Sequence, residues 1–193
     1  MSREEQATAT RAELLRVARE LFAKRGYADV GTEQIVRAAH VTRGALYHHF
    51  EDKRALFRAV HEQVADDLLA TIAARIAGIT DPWDALETGV RAFLDACTDP
   101  AVMRISHLDA PAVLGWAEWR EIDARHWLGV VSMGVQEAMD GGVFRPQPVQ
   151  PLAHMLLGAM VEASMLIASA PDPEVARGEV EAPLLALLEG LRV

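Results

Sequence analysis

Two short helical segments, separated by a connection of about three residues, lie near the start of the chain. The first is predicted over 33–39 with Thr32 as its N-cap, and the second over 43–49 with Thr42 as its N-cap. Ahead of them, apolar side chains recur at helical spacing over 10–25. Two short helices joined by so tight a turn are typical of a helix-turn-helix unit. No other feature constrains the fold as strongly.

The rest of the chain also shows helical periodicity, which indicates an all-α fold. A long helix over 52–77 carries an apolar seam and contains no linker. We therefore expect it to connect an N-terminal three-helix helix-turn-helix domain, residues 1–51, rigidly to a C-terminal helical domain, residues 52–193. The further helices are predicted over 81–97, 100–107, 117–139, 150–170 and 173–191.

The second short helix has the shape that DNA recognition requires. Gly44 and Ala45 leave its leading face slim enough to enter a major groove about 12 Å wide. Arg43 can reach a guanine edge or a phosphate from the same end. Thr32 and Thr42 lie at helix N-termini, where free backbone N–H groups favour phosphate oxygens.

The distribution of charge supports a nucleic-acid partner although the net charge is −9. Residues 1–55 carry ten Lys and Arg against eight Asp and Glu, whereas residues 56–193 carry nine against twenty. A polyanion can therefore dock only on the N-terminal part.

The segment 32–53 reads TEQIVRAAHVTRGALYHHFEDK and resembles the signature of the TetR family of bacterial regulators. The resemblance is close over residues 10–60 and rests above all on Leu46, Tyr47, His49, Phe50 and Lys53. It implies a near-palindromic double-stranded operator and the following DNA-binding residues: phosphate contacts from Thr32, Tyr47 and Lys53, groove contacts from Arg43, Gly44, Ala45 and His48, and flanking positions for Thr42 and His49.

His40 departs from the family pattern, in which this turn position is usually glycine. We expect a positive φ there, which histidine tolerates at some energetic cost.

The C-terminal domain contains all four tryptophans and every methionine except Met1. Such side chains most often pack a core, but rigid aromatics and adaptable thioethers also suit a cavity for varied apolar ligands. We expect a small hydrophobic effector, neutral or cationic, to bind among Phe93, Met103, Trp116, Trp119, Trp127, Met133, Met155 and Glu162.

Two apolar helices near the C-terminus predict a homodimer through residues 150–191, including Leu185 and Leu188. In the TetR family the corresponding helices usually form the dimer's four-helix bundle. The combined prediction is a homodimeric repressor that a small ligand releases from its operator. Two alternatives remain: a regulator of the same architecture without a small-molecule inducer, and a helical enzyme or scaffold that no longer binds DNA.

Other classes of protein are disfavoured by what the sequence contains. No catalytic motif is present, the scattered histidines have no metal-ligand spacing, and neither an enzyme nor a cofactor is expected. The polar start, the absence of an uninterrupted apolar run of eighteen residues and the single Cys97 predict a cytoplasmic protein without a membrane partner.

Overall fold

A computed structural model describes residues 2–193 and confirms the all-α prediction. Between Gly26 and the last helix, most connections are short turns. The helices are α1 (Arg3–Arg25), α2 (Thr32–Ala38), α3 (Arg43–His49), α4 (Lys53–Ile76), α5 (Pro82–Ala96), a π-helix (Val102–Asp109) that continues into α6 (Ala110–Leu114), α7 (Trp116–Asp140), α8 (Val149–Ser169) and α9 (Pro173–Glu189).

Side-chain caps fix most of the helix starts. Thr42, Asp52 and Asp81 each accept a hydrogen bond from the backbone N–H three residues ahead, at 3.1, 2.7 and 3.0 Å. The prediction that Thr32 caps α2 is wrong, because α2 begins at Thr32 and follows Gly31. The Gly31 N–H instead donates to Gln34 Oε1 at 3.1 Å.

Two further boundaries differ from the prediction. Helix α1 begins seven residues earlier than expected, since Ser2 and Glu5 form a reciprocal capping box. The predicted helix over 100–107 is a π-helix, in which each turn holds more residues than an α-helical turn. Apolar spacing cannot distinguish these two geometries over so short a segment.

The first three helices pack around an aromatic cluster that they share with α4. The rings of Phe22 and Phe57 meet edge to face with centroids 5.3 Å apart, and Tyr27 packs on Phe57 at 5.1 Å. Ile35 and Leu46 are fully buried beneath α2 and α3. The orientation of α3 is therefore fixed by side chains that also fix the start of α4.

Helix α4 is uninterrupted over 24 residues and contacts α1, α5, α7 and the π-helix. Its buried seam is apolar except for His61: Leu56, Phe57, Val60, His61, Val64, Ala65, Leu68 and Ile72. The apolar side chains buried along the whole chain form one contiguous cluster. Among the described residues, packing is continuous from the N-terminal end of α4 to its C-terminal end.

Helices α8 and α9 pack against each other and expose apolar side chains on their outer faces. Leu166 on α8 and Leu187 on α9 are 53% and 58% exposed. By length and composition α8 could also cross a membrane, with a mean hydropathy of 1.6 over a window that is 39% buried. This helix contains no uninterrupted apolar run of eighteen residues, because His154 and Glu162 lie within it.

Candidate functional site

The turn between α2 and α3 is closed by the backbone and contains one strained residue. His40 has a φ of +53°, which confirms the expectation for this position. Its neighbour Val41 donates its N–H to the Val36 carbonyl at 3.0 Å. The turn thereby directs α3 away from α2, with Leu46 and Phe50 buried below it.

Helix α3 presents a slim and polar outer face. Arg43, Gly44, Tyr47 and His48 are exposed, whereas Ala45 is partly buried. A Cβ built on Gly44 would meet only the Thr42 hydroxyl, at 3.8 Å. The protein itself thus leaves room at this position, and glycine is not required there by internal packing.

Arg43 and Tyr47 are neighbours on this face. The Arg43 guanidinium carbon lies 5.5 Å from the centroid of the Tyr47 ring. Hydrogen bonding to Thr32, with Arg43 adding to it, lowers the pKa of the Tyr47 phenol below its ordinary value. Donor groups of Thr32 and Arg43 therefore lie beside the phenol, where they can also serve a phosphate oxygen.

Lys53 lies at the first position of α4 and is anchored by the loop after α1. Its ammonium donates to the Tyr27 carbonyl at 2.6 Å and lies 3.9 Å from the centroid of the Tyr27 ring. Burial lowers the pKa of Lys53, against the attraction of Asp109 and Asp29. These contacts hold the charge at one place instead of leaving it on a mobile stem.

Thr32, Arg43 and Lys53 line one open depression at the start of α2, which we call the N-terminal depression. Residues 28–34 and Arg37 complete its walls. Three of the residues predicted to contact DNA are thus brought together around free backbone N–H groups of a helix N-terminus. The predicted flanking residues Thr42 and His49 lie at the two ends of α3 instead.

The same loop is tied to the C-terminal helices. The Tyr27 N–H donates to Asp109 Oδ2 at 2.7 Å, and Asp109 is the last residue of the π-helix. Next to Lys53, Arg54 donates to the carbonyls of Val113 and Leu114 at 3.2 and 3.0 Å. The residues on either side of the N-terminal depression are therefore positioned by the segment 102–114.

Two cavities lie between the C-terminal helices. The first, which we call the groove, is partly open, holds about 120 Å³ and has an almost entirely apolar lining from α4, α5, α7, α8 and α9. Gly134 lets α5 and α7 approach closely along it, because a Cβ there would lie 3.1 Å from Leu86 Cδ2. The groove reaches the surface beside the exposed Met133.

The second cavity, which we call the inner cavity, holds about 30 Å³ and is more enclosed. Its lining combines apolar side chains with five polar ones, which are His61, Ser106, His107, Asp123 and Ser164. His61 Nδ1 is 3.2 Å from Ser106 Oγ, and Ser164 Oγ is 3.3 Å from His107 Nδ1. Polar groups thus pair across the interface between α4, the π-helix and α8.

Only three of the eight residues predicted to bind an effector line one of the two cavities. Phe93 and Trp127 line the inner cavity, and Trp127 and Met133 line the groove. The other five residues line neither: Met103, Trp116, Trp119, Met155 and Glu162. Trp119 is packed solid and donates its indole N–H to the Ser106 carbonyl at 3.1 Å, while Trp116 and Met155 are 59% and 65% exposed.

The polar lining of the inner cavity was not predicted. One signal was available, since His61 is the single titratable residue in the otherwise apolar seam of α4. Ser106, His107 and Asp123 gave no such signal, because their inward orientation depends on the π-helix and on the rotation of α7.

Comparison with known proteins decides the family. Residues 14–60 match the model of bacterial regulatory proteins of the tetR family, and residues 83–191 match that of the tetracyclin repressor-like C-terminal domain. The chain belongs to the TetR family. It is thus a member of a family of DNA-binding transcriptional regulators.

Two relatives align with most of the chain. The Tn10 TetC protein of Escherichia coli is 30% identical over 145 residues, which cover 75% of this chain and 73% of TetC. The transcriptional repressor KstR2 of Rhodococcus jostii is 30% identical over 158 residues, covering 76% and 74%. Both alignments extend well beyond the helix-turn-helix.

Solved structures share the complete architecture. A TetR-family regulator from Pectobacterium atrosepticum is 35% identical and superposes with a TM-score of 0.90, covering 100% of this chain and 98% of the other. RolR in complex with resorcinol has a TM-score of 0.74 at 20% identity, covering 96% and 90%. The second similarity concerns the fold alone.

Proposed function

We propose that this TetR-family protein is a homodimeric repressor that a small hydrophobic ligand releases from a near-palindromic operator. The observation that carries the proposal is the N-terminal depression, where Thr32, Arg43 and Lys53 meet beside the exposed face of α3. Members of the family usually act as repressors, and the relative KstR2 is named a transcriptional repressor.

The depression suits a phosphate better than a base. In the proposed complex Thr32 and Lys53 contact the DNA backbone from the depression, and Tyr47 contacts it from its place beside Thr32. Arg43, Gly44, Ala45 and His48 face the major groove from the slim side of α3. Thr42 and His49 flank them at the two ends of that helix.

The dimer is proposed to form through α8 and α9, within residues 150–191. Their outward apolar side chains need a cover, which a second copy related by a two-fold axis supplies. Leu187 and Leu166 face outward, whereas Leu188 is only 3% exposed and lines the groove of its own protomer. Of the two leucines predicted by sequence, Leu188 is therefore left out of the proposed interface, whereas Leu185 is partly exposed and remains available for it. Covering α8 in this way also accounts for its hydropathy in a cytoplasmic protein.

Release is proposed to work through the π-helix. Ser106 and His107 border the inner cavity, and Asp109 on the same helix holds the Tyr27 N–H. The Tyr27 carbonyl in turn holds Lys53. A molecule that shifts the π-helix changes both the position of Lys53 and the separation of the two α3 helices, which must be about 34 Å apart on the operator. RolR, which has the same fold, binds the small aromatic compound resorcinol.

The experiment is a gel shift with the DNA upstream of the protein's own gene, against unrelated DNA of equal length. Gly44→Leu is the matched variant, because the free protein has room for a side chain there and the groove of DNA does not. We expect the wild type to shift the upstream DNA and Gly44→Leu to fold normally without shifting it.

Two results would contradict the proposal. Equal binding by Gly44→Leu would remove α3 from the interface, and no shift by the wild type would favour a scaffold that has lost DNA binding. If the DNA is bound and no small molecule releases it, a regulator controlled by a protein partner or by its own abundance becomes the better interpretation.

A further inference from the structure

The inner cavity contains a polar atom that the protein leaves unsatisfied. His61 is only 2% exposed, and its Nε2 has no hydrogen-bond partner within the described residues 2–193. Its Nδ1 is already engaged with Ser106 Oγ. A buried imidazole nitrogen without a partner costs about 1–3 kcal/mol, so its persistence at a cavity wall needs a reason.

The inner cavity adjoins the apolar groove. Trp127, Val131 and Met160 line both, so one layer of side chains separates them. Met160 is the flexible member of this layer, since its unbranched thioether can change rotamer at low cost. A molecule seated in the groove can therefore extend a small substituent past Met160 toward His61.

We propose that the inner cavity binds the hydroxyl group of a small, uncharged effector whose apolar body lies in the groove. This inference rests on the proposed function, because it assigns the chemical class of the releasing ligand. The hydroxyl satisfies His61 Nε2, and as both donor and acceptor it can also hydrogen-bond to Asp123 or Ser164.

The volumes set the size of this ligand. The groove holds about 120 Å³, slightly less than the roughly 150 Å³ of an apolar cavity that accommodates benzene. The inner cavity holds about 30 Å³, which is enough for a hydroxyl group but not for a second ring. A single ring or a short alkyl chain with one hydroxyl is the molecule that fits both.

The charges around the groove and the inner cavity exclude a ligand that carries a carboxylate. Asp123 lines the inner cavity, and neither lining contains Lys or Arg among the described residues. Arg120 is 3.5 Å from Asp123 but lies outside the lining. Burial lowers the pKa of both His61 and His107 to about 4, so these imidazoles are neutral at pH 7 and cannot pair with a carboxylate. A ligand carboxylate would therefore be buried beside another acid without a counter-charge.

Calorimetric titration of the full-length protein with three matched probes tests the proposal. The probes are 4-ethylphenol, ethylbenzene and 4-ethylbenzoate, which differ only in the group that would reach His61. We expect 4-ethylphenol to bind about tenfold more tightly than ethylbenzene, as one hydrogen bond to a buried partner predicts. The benzoate should bind more weakly than either.

Three variants locate the site. His61→Phe should reduce the advantage of the phenol over ethylbenzene to less than about twofold. Met133→Ala, which changes only the apolar groove, should lower the affinity for 4-ethylphenol and for ethylbenzene by the same factor. Asp123→Asn should improve binding of the benzoate and keeps the test valid if His61→Phe does not fold.

The outcomes separate this inference from the proposed function. Equal affinity for phenol and ethylbenzene, preference for the benzoate, or an undiminished phenol advantage in His61→Phe would overturn the assignment of the hydroxyl site. Operator release is measured separately by fluorescence anisotropy of labelled DNA. Tight phenol binding without release would contradict the ligand-controlled repressor while leaving the binding site in place.

Discussion

Replacing Lys53 by methionine removes the best-defined positive charge of the N-terminal depression. The stem is preserved, and the ammonium that donates to the Tyr27 carbonyl is lost. If each Lys53 neutralises one phosphate, a dimer loses two such contacts, and the slope of log K against log salt becomes shallower by about 1.8. Between 50 and 200 mM salt the deficit of the variant should therefore shrink by about 12-fold.

The assay is anisotropy of labelled operator at four salt concentrations. Lys24→Met is the control, because the chain has only two lysines and Lys24 is exposed at the end of α1, away from the depression. We expect Lys24→Met to leave the slope unchanged. An unchanged slope in Lys53→Met, with normal melting, would show that Lys53 fixes Tyr27 and does not contact phosphate. A change of about 0.9 would mean that one protomer alone binds DNA.

Three further predictions follow from exposure and charge. Arg43→Ala should weaken operator binding by about 1–3 kcal/mol through one base pair per half-site, which is measured with base-substituted operators. Equal weakening on all of these operators would show that Arg43 contacts a phosphate. The pair Leu166→Glu and Leu187→Glu should sediment as a monomer, while Leu108→Glu, which changes an exposed leucine outside α8 and α9, should remain dimeric. Burial raises the pKa of Asp123 from 3.8 to about 6, so its ionisation lowers the free energy of unfolding progressively as the pH rises from about 4 to about 6, and Asp123→Asn should gain about 2–3 kcal/mol of unfolding free energy at pH 7.5 but little at pH 4. A gain that does not change with pH would refute the last prediction.

The N-terminal helix-turn-helix could be predicted from sequence because its determinants are local. Thr42 caps α3 through the residue three positions ahead, and the positive φ of His40 was expected from the glycine that is usual at this turn position in the family. The start of α2 was misplaced by one residue, since Gly31 takes the capping position without any side-chain oxygen.

The cavities of the C-terminal helices could be predicted only in part, because cavities arise where packing is incomplete. Periodicity places Trp119 and Trp127 on inner faces alike, yet Trp119 fills its space completely and Trp127 borders two voids. Similarly, Leu187 and Leu188 are adjacent and equally apolar, but the rotation of α9 exposes one and buries the other. These differences depend on contacts between residues that are distant in sequence.

The π-helix also makes the chain sensitive to the loss of one residue. Because a π-turn accommodates more residues than an α-turn, deleting the exposed Leu108 would let the segment relax to an ordinary α-helix and would place Asp109 directly after His107, at a different angle around the helix axis. Ser106 and His107 could then keep facing the cavity only if Asp109 left the Tyr27 N–H. In the proposed mechanism, such a deletion variant should still bind the effector and the operator, but the effector should no longer release the operator.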